Sequence, residues 1–261
     1  MSAGPTLAVA SLEILALQGM PEVTPGDDLA DLIGASLEST GTVLQDQDVL
    51  VVTQKVVSKA EGRVVALASV QPSAAAVEFA TRWGKDPRQV ELVLRESVEV
   101  VRMEAGLIIG RTRHGFVCAN AGVDLSNVGG GDVATLLPDD PDASARALRE
   151  TLGERGGARP AVVISDSFGR PWRNGIVNVA IGTAGIEALA DLRGQPDAEG
   201  REMRSTVIAV ADELASAADL AGGKVAQRPV VLIRGYTYHP AGADDRGAQA
   251  LVMPREQDLF P

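Results

Sequence analysis

Residues 162–185 read VVISDSFGRPWRNGIVNVAIGTAG, and the predicted fold is organised around this stretch. The apolar residues 161–164 have the length and the β-branched content of a buried strand. We predict that this strand ends at Ser165, where Asp166 and Ser167 follow, and that a second apolar run covers residues 176–181. A carboxylate and a hydroxyl at the end of a buried strand could hold a hard metal ion. A strand that simply ends in a polar turn fits the same residues.

The composition limits the class of protein. The chain has 261 residues, of which 45% are hydrophobic, and its net charge is −11. This charge argues against a general nucleic-acid binder, which needs a basic face. No apolar run reaches the roughly 20 residues that a membrane span needs, and the first residues lack the basic region of a signal peptide. We therefore predict a cytoplasmic protein that binds neither nucleic acid nor membrane.

The single cysteine and the two histidines suggest no catalytic site of their own. Cys118 lies in an apolar run, which predicts a buried small side chain in a reducing compartment. His114 and His239 are far apart in the sequence and lack the spacing of metal ligands. A zinc site or a catalytic triad is therefore not predicted.

A second polar stretch follows another predicted strand, at residues 48–65, DVLVVTQKVVSKAEGRVV. Residues 49–52 predict a buried strand, and Lys55, Ser58 and Lys59 come directly after it. Two ammonium groups and a hydroxyl at this position suit phosphate binding. An amphipathic helix with solvated lysines is the alternative. A third candidate is the glycine-rich loop at 120–132, where Asp124 and Asn127 could face one ligand, although its composition is that of a surface loop.

The remaining pattern predicts an α+β fold with mixed sheets. Helices are predicted at 72–83, at 141–152 and from Pro87 onward. A further helix is predicted in which Leu29, Ile33 and Leu37 share one face. Strands at 98–102, 107–111 and 116–119 predict an antiparallel meander. Further strands are predicted at 205–210 and 229–233, and the tail is expected to dock on the body or on a neighbour. Neither a dinucleotide-binding motif nor a P-loop is present.

Six segments, taken in order, resemble the coenzyme F420-0:L-glutamate ligases, the γ-glutamyl ligases of coenzyme F420 biosynthesis. The segments are GMPEVTPGDDLADLI (19–33), VVTQKVVSKAEGR (51–63), CANAGVDLSNV (118–128), VVISDSFGRPWRNGIVNVAIGTAGI (162–186), VADELASAADL (210–220) and PVVLIRG (229–235). Each is a modest match alone, and their common order makes the resemblance specific.

The resemblance implies a GTP-dependent amide ligase. In that family GTP phosphorylates the lactyl carboxylate of F420-0, the amine of L-glutamate displaces phosphate from the acyl phosphate, and a further glutamate is added through its γ-carboxylate. Mg²⁺ or Mn²⁺, with two ions expected, and K⁺ assist. The resemblance also implies a family-specific ligase fold in an intertwined homodimer, with a ligase domain at 1–245, a sub-lobe around 95–155 and a tail at 246–261.

The resemblance also implies roles for individual residues. Asp124 and Asp166 would bridge one metal ion, and Ser167 would help to hold a second. Asn127 would contact the nucleotide and Lys59 its phosphates. The backbone around Met20, Pro21, Glu22 and Val23 and around Gln54 and Lys55 would line the nucleotide pocket. A further nucleotide-binding segment would be formed by Gly222, Gly223, Lys224, Val225, Ala226 and Gln227.

Two arginines are a prediction from the residues themselves. Arg170 and Arg173 lie between the two strands of the central stretch and could bind the anionic substrate or the charge of the transition state. With Asp166 they form the predicted catalytic set. Two other functions stay open: a ligase or nucleotide hydrolase that acts on a different carboxylate, and a non-catalytic nucleotide-binding module of a larger synthase.

The chain departs from the family pattern at three places. Ser167 stands where relatives have threonine, which keeps the hydroxyl, and Gln54 and Lys55 replace the small hydroxyl residues of some members. The segment 222–227 is shorter and poorer in glycine than in some relatives, which leaves its alignment open. Some bacterial relatives continue into a flavin-binding domain that resembles nitroreductases, and no such second activity is assigned to this chain.

Overall fold

The computed structural model of the protein describes residues 10–125 and 132–258. The strands are β1 Glu13–Ala16, β2 Val49–Thr53, β3 Val64–Ala66, β4 Ser97–Glu104, β5 Leu107–Thr112, β6 Val117–Ala119, β7 Val133–Thr135, β8 Ala161–Arg170, β9 Arg173–Ala184, β10 Ala190–Asp191, β11 Val207–Ile208 and β12 Val230–Arg234. The α-helices are α1 Leu29–Thr40, α2 Gln54–Ala60, α3 Ala74–Trp83, α4 Pro87–Glu96, α5 Pro141–Gly156 and α6 Val210–Gly222. The chain is therefore mixed α+β, as predicted.

The central sheet has five strands in the order β1-β12-β2-β8-β9. β2 and β8 run parallel, with Thr53 opposite Ser165 at their carboxyl ends, and the other neighbours are antiparallel. The carboxyl ends of parallel strands meet at one edge of a sheet, where open α/β sheets commonly bind ligands. This edge carries the polar residues that follow both strands in the sequence.

The predicted end of the strand at Ser165 is wrong. β8 continues to Arg170 and pairs with β9 in an antiparallel hairpin, with a register shift between Ile164 and Ser165. The polar side chains do not end the strand, because the hairpin satisfies its backbone hydrogen bonds whichever side chains it carries. The chain reverses at Trp172, whose φ is +57°.

Helices cover both faces of the central sheet. Leu50 and Ile164 point to the face that packs on α1 and α5, and Val51 and Val163 point to the face that packs on α6. Successive side chains of a strand point to opposite faces, so a sheet buried on both sides has continuous apolar runs. This explains why residues 49–52 and 161–164 show no alternation.

A third hydrophobic cluster is formed by buried residues from Leu67 to Leu136, and we call this segment the lobe. The predicted meander is present as the three-stranded sheet β4-β5-β6, and α3 and α4 pack against it. α4 begins at Pro87, as predicted, and α3 begins at Ala74, two residues after the predicted start at 72. Their N-caps are Asp86 and Ser73, whose side chains accept hydrogen bonds from the first-turn amides. β3 and β7 pair with each other and join this lobe to the body.

The described part of the tail contacts the rest of the chain, as predicted. The Ala248 N–H donates a hydrogen bond to Asp142 Oδ1 at 2.8 Å, and the Gln249 side chain donates to the His114 carbonyl at 3.0 Å. The strand predicted at 205–210 is shorter, since only Val207–Ile208 pairs and α6 begins at Val210. Within the described ranges, no helix is both long enough and apolar enough to cross a membrane.

Candidate functional site

The two lysines that follow β2 lie on α2 at the carboxyl edge of the sheet. Gln54 opens the helix, is buried, and accepts a hydrogen bond from Ser58 Oγ at 2.7 Å. Lys55 and Lys59 are four residues apart, which places them on the same side of the helix, one turn from each other. The alternative of solvated lysines is wrong for Lys59, which is only 7% exposed. Two ammonium groups therefore line this edge.

Asp124 approaches these lysines from the other lobe. The backbone N–H groups of Asp124 and Thr135 each donate to the carbonyl of the other, at 3.0 and 2.8 Å, and Thr135 Oγ1 also donates to the Asp124 carbonyl. Thr135 is fully buried, so this bridge fixes the backbone of Asp124. Lys55 Nζ lies 2.7 Å from Asp124 Oδ2. The predicted metal ligand therefore faces the body of the protein across the junction between the lobes.

Asp166 lies on β8, one residue beyond the point where β2 ends. Its neighbour Ser165 is the last residue of β8 that pairs with β2, opposite Thr53. The Ser167 N–H donates to Asp166 Oδ1 at 2.8 Å. The carboxylate thus sits where β8 leaves the sheet interior.

Charges of both signs surround the Asp166 carboxyl group. Burial and, to a lesser extent, the negative charge of Asp124 raise its pKa, which lies at about 6 instead of 3.8. The hydrogen bond from the backbone and the positive charges of Lys224 and Lys55 act in the opposite direction. Asp124, Asp166, Lys55 and Lys224 are therefore close enough to influence one another electrostatically.

Ser167 belongs to a hydrogen-bonded chain next to this cluster. Its Oγ donates to Asn178 Oδ1 at 2.7 Å, and Lys224 Nζ donates to Ser167 Oγ at 2.6 Å. Successive side chains of a strand point to opposite faces of the sheet. The side chains of Ser167 and Asp166 therefore diverge, and the contact between the two residues is the hydrogen bond from the Ser167 backbone N–H. Asn178 is buried and the sequence analysis missed it, although an amide within the apolar run 176–181 was the available signal.

The loop before α1 reaches the second lysine. Val23 is buried and Met20 packs on the main core, which places the intervening residues over α2. The Glu22 carboxylate forms an ion pair with Lys59 Nζ. The predicted pocket segment at 20–23 therefore contacts Lys59 through the Glu22 side chain.

The structure places the predicted arginines apart from this cluster. Arg170 and Arg173 pair with each other at the tip of the hairpin, and Arg170 donates to the Asn174 carbonyl at 3.2 Å. Four residues of extended strand span roughly 13 Å, which separates the tip from Asp166. The catalytic role of these arginines stays a prediction.

The predicted segment 222–227 reaches the site through one side chain. α6 ends at Gly222, and Lys224 contacts Ser167, while Val225 points outward and is 92% exposed. Gln227 has a φ of +54°, which turns the chain toward β12. Asn127, the predicted nucleotide contact, lies outside the described residues.

Cys118 is a structural residue, as predicted. Its side chain is buried, and burial together with the negative charge of Asp166 raises the pKa of the thiol to about 12. A thiolate is the nucleophilic form of cysteine, so this thiol is unreactive at neutral pH.

The donor set fits a divalent cation that is shared with a ligand. Asp124 and Asp166 are close enough for the charge of one to raise the pKa of the other. In the described ranges, no group of three or more His, Cys, Asp or Glu side chains converges on a metal position. Mg²⁺ is typically held by one or two carboxylates together with phosphate oxygens and waters. Asp124 and Asp166 would provide those carboxylates, and Ser167 would provide a nearby hydroxyl.

A left-handed turn directs Asp124 toward the site, and the sequence analysis did not anticipate it. Asn120, Ala121 and Gly122 have consecutive φ values of +53°, +48° and +74°. A Cβ atom on Gly122 would lie 2.6 Å from Leu137 Cγ. A side chain here meets both an unfavourable backbone region and a packed neighbour, so Gly122 is the position that allows this turn.

We expect Gly122→Ala to lower the stability by about 2–3 kcal/mol, since it adds overpacking to backbone strain. Gly84→Ala is the matched control, because Gly84 has a φ of +64° and nothing within 4 Å of the added Cβ. This control should lose about 1 kcal/mol. Urea unfolding of the two variants measures the difference. Equal losses would show that the contact with Leu137 is unimportant.

Comparison with known proteins identifies the family of the chain. The family model described as F420-0:Gamma-glutamyl ligase matches residues 19–235. The chain belongs to this family. The matched range of the F420-0:γ-glutamyl ligase model contains all six segments of the sequence resemblance and every candidate residue from Met20 to Gln227.

Full-length relatives support the assignment to the F420-0:γ-glutamyl ligase family. A coenzyme F420:L-glutamate ligase of Methanothermobacter thermautotrophicus is 46% identical over 250 residues, which cover 95% of this chain and 98% of the relative. The enzyme of the same name from Methanopyrus kandleri is 46% identical over 241 residues, 92% of this chain and 93% of the relative. That of Haloarcula marismortui is 41% identical over 255 residues, 95% of each.

Proposed function

We propose that the protein is a coenzyme F420-0:L-glutamate ligase that uses GTP to join L-glutamate to the lactyl carboxylate of F420-0, and then adds further glutamate by γ-linkage. The observation that supports this proposal best is the convergence of charges at the carboxyl edge of β2 and β8. Asp124 and Asp166 come together there with Lys55 and Lys224. The names of the full-length relatives point to the same substrates.

The chemistry requires such a site. In the first step, an oxygen of the lactyl carboxylate attacks the γ-phosphorus of GTP, the bond to the β-phosphate oxygen breaks, and GDP leaves. In the second step, the amine of L-glutamate attacks the carbonyl carbon of the acyl phosphate, phosphate leaves, and a proton passes to solvent. The first step brings two anions together, so positive groups must offset their repulsion and the charge that develops. Lys59 and Lys55 would supply this positive charge.

We assign the metal-holding residues to the same edge. Asp124, Asp166 and Ser167 would hold Mg²⁺ or Mn²⁺, with two ions expected, and K⁺ would assist as a further cation. Bound there, the divalent ions supply positive charge to the phosphoryl oxygens. Lys59, which is buried on α2, would orient the phosphates, and Lys224 would contact them from the end of α6.

We also propose that the protein acts as a homodimer in the cytoplasm. The β8–β9 hairpin extends beyond β2, and it exposes Trp172 by 80% and Ile176 by 58%. Exposed apolar side chains on a projecting hairpin are typical of a surface that a partner covers. Sedimentation at micromolar concentration should give the mass of a dimer, and a monomer mass would contradict this proposal.

The activity is tested directly with F420-0, L-glutamate, GTP and Mg²⁺ or Mn²⁺. We expect mass spectrometry to show F420 species that are longer by one and then by more glutamyl units, with one GDP released per bond. Lys59→Met should lower turnover by about 10²-fold, because a preorganised charge at the phosphates is lost. Lys85→Met, at an exposed position in the lobe, is the control and should be unaffected.

The same experiment separates the other two functions. GTP hydrolysis that ignores F420-0 would identify a ligase or hydrolase with a different carboxylate substrate. GTP binding with no turnover, restored only by a partner protein, would identify a non-catalytic nucleotide-binding module.

A further inference from the structure

Each lysine of α2 contacts a carboxylate that comes from a different part of the chain. Lys55 Nζ lies 2.7 Å from Asp124 Oδ2, on the lobe that contains the meander. Lys59 Nζ contacts the Glu22 carboxylate, on the loop before α1. The proposed function gives both lysines a different partner, the phosphates, and gives Asp124 a metal ion. The two ion pairs therefore use the same atoms that the ligands need.

Exposure in one pair and side-chain length in the other indicate which member can move. The Glu22 side chain is 65% exposed, whereas that of Lys59 is 8% exposed. Glu22 can turn into solvent with little loss of packing, and Lys59 cannot leave its buried position. The backbone of Asp124 is fixed by its bridge to Thr135. In the other pair the Lys55 side chain is 19% exposed and that of Asp124 is 37% exposed, so side-chain length decides instead: the long, flexible stem of Lys55 can carry its ammonium group farther than the short Asp124 side chain can carry its carboxylate.

We propose that Lys55 and Glu22 are place-holders for the two halves of the ligand, an inference that rests on the proposed function. Lys55 occupies the cation position at Asp124, and Glu22 occupies the anion position at Lys59. A divalent cation displaces Lys55, and the phosphates of a nucleotide displace Glu22. No covalent bond changes in this exchange.

The exchange links the two ligands. A cation at Asp124 releases Lys55, and the released ammonium group becomes available to the phosphates one helical turn away, near Lys59. Cation binding therefore favours anion binding, and by thermodynamic reciprocity the anion favours the cation to the same extent. Without Lys55, less positive charge would offset the repulsion between Asp124 and Asp166. A cation would then bind to these carboxylates more tightly.

Two single substitutions test the place-holders without any measurement of activity. Mn²⁺ is titrated into the metal-free, nucleotide-free protein and followed by the electron paramagnetic resonance signal of free Mn²⁺. GDP is titrated calorimetrically in the presence of EDTA. Lys55→Gln should bind Mn²⁺ about threefold to fivefold more tightly than the unaltered protein, and Glu22→Gln should bind GDP more tightly by a similar factor. This factor corresponds to the free energy of one partly exposed ion pair.

Each control variant changes the net charge by the same amount as its test variant and leaves both ion pairs intact. Lys85→Gln alters an exposed residue just after α3, and Glu38→Gln alters an exposed residue on α1. Both controls should leave the two affinities within a factor of about 1.5, since exposed charges at a distance are screened by salt. A control that matched the test variant would show that net charge alone explains the effect, and would overturn the exchange.

The outcomes separate this inference from the proposed function. If the unaltered protein binds both ligands and a variant binds its ligand equally or more weakly, that residue is not a place-holder. If only one variant gains affinity, only that exchange stands. An unaltered protein that binds neither Mn²⁺ nor GDP would overturn the proposed site, and the exchange with it.

Discussion

Replacement of Asp166 by asparagine is expected to lower ligase turnover by about 10³-fold and to leave the protein folded. Asparagine has the shape of aspartate and lacks its charge, so a carboxylate that serves a metal ion cannot be replaced by it. Glutamate-tail elongation of F420-0, followed by mass spectrometry, measures the loss. Near-normal turnover in Asp166→Asn would show that the assignment of the metal position to Asp166 is wrong.

The stability of the same variant should change in the opposite direction. Burial raises the pKa of the folded carboxyl group from 3.8 to about 6. Between these values the unfolded chain has lost the proton and the folded protein retains it. The contribution of Asp166 to stability is therefore fully present below about pH 4 and is lost as the pH rises through about 6. Two pKa units set an upper limit of about 3 kcal/mol on this loss.

Asparagine does not titrate, so Asp166→Asn should become more stable relative to the unaltered protein as the pH rises from 4 to 7. Urea unfolding in EDTA at pH 4.5 and pH 7 measures this difference. Asp191→Asn is the contrasting control, because the hydrogen bond from Arg193 lowers the pKa of that carboxyl group to about 2. A stability difference for Asp166→Asn that is the same at both pH values would contradict the raised pKa.

The parts of the fold that depend on local pattern could be predicted from the sequence. The buried strands at 49–52 and 229–233, the capped helices after Ser73 and Asp86, and the meander all follow from hydrophobic periodicity and capping chemistry. The continuation of β8 past Ser165 could not be predicted in the same way. It depends on pairing with β9, and pairing between strands is decided by contacts that composition does not reveal.

The site shows the same division. Polar residues after buried strands identified Lys55 and Asp166 as candidates, and the family resemblance connected them to Asp124. The ion pair between Lys55 and Asp124 joins two lobes, and nothing in the sequence spacing indicates it. The role of Glu22 as the partner of Lys59 was also missed, because only its backbone was expected to line the pocket.

Another ion pair between distant parts of the sequence joins the beginning of β2 to the end of β12. Asp48 is 1% exposed, and its two oxygens accept hydrogen bonds from Arg234 Nε at 2.8 Å and from a terminal nitrogen of Arg234 at 2.7 Å. The same guanidinium group donates to the Val43 carbonyl, and the Gln45 N–H donates to Asp48. A buried, bidentate pair of this kind fixes the neighbouring strands at the centre of the sheet.

We expect Asp48→Ala to reduce the free energy of unfolding by about 3–5 kcal/mol, because it leaves the Arg234 guanidinium group partly buried without its counter-ion. For a protein of this length that corresponds to a fall of roughly 10 °C in Tm. Asp191→Ala is the control, since the pair of Asp191 with Arg193 has similar geometry and side chains that are 48% and 58% exposed. Thermal and urea unfolding should show a loss of at most about 1 kcal/mol for this exposed pair.

The double variant Asp48→Leu/Arg234→Met identifies the origin of the loss. If the uncompensated charge causes it, removal of both charges should restore a large part of the stability, because an apolar pair needs no desolvation of charge. The hydrogen bonds to Val43 and Gln45 would still be lost, so recovery should be incomplete by about 1–2 kcal/mol. A double variant as unstable as Asp48→Ala would show instead that packing or strand geometry at this position, and not the buried charge, determines the effect.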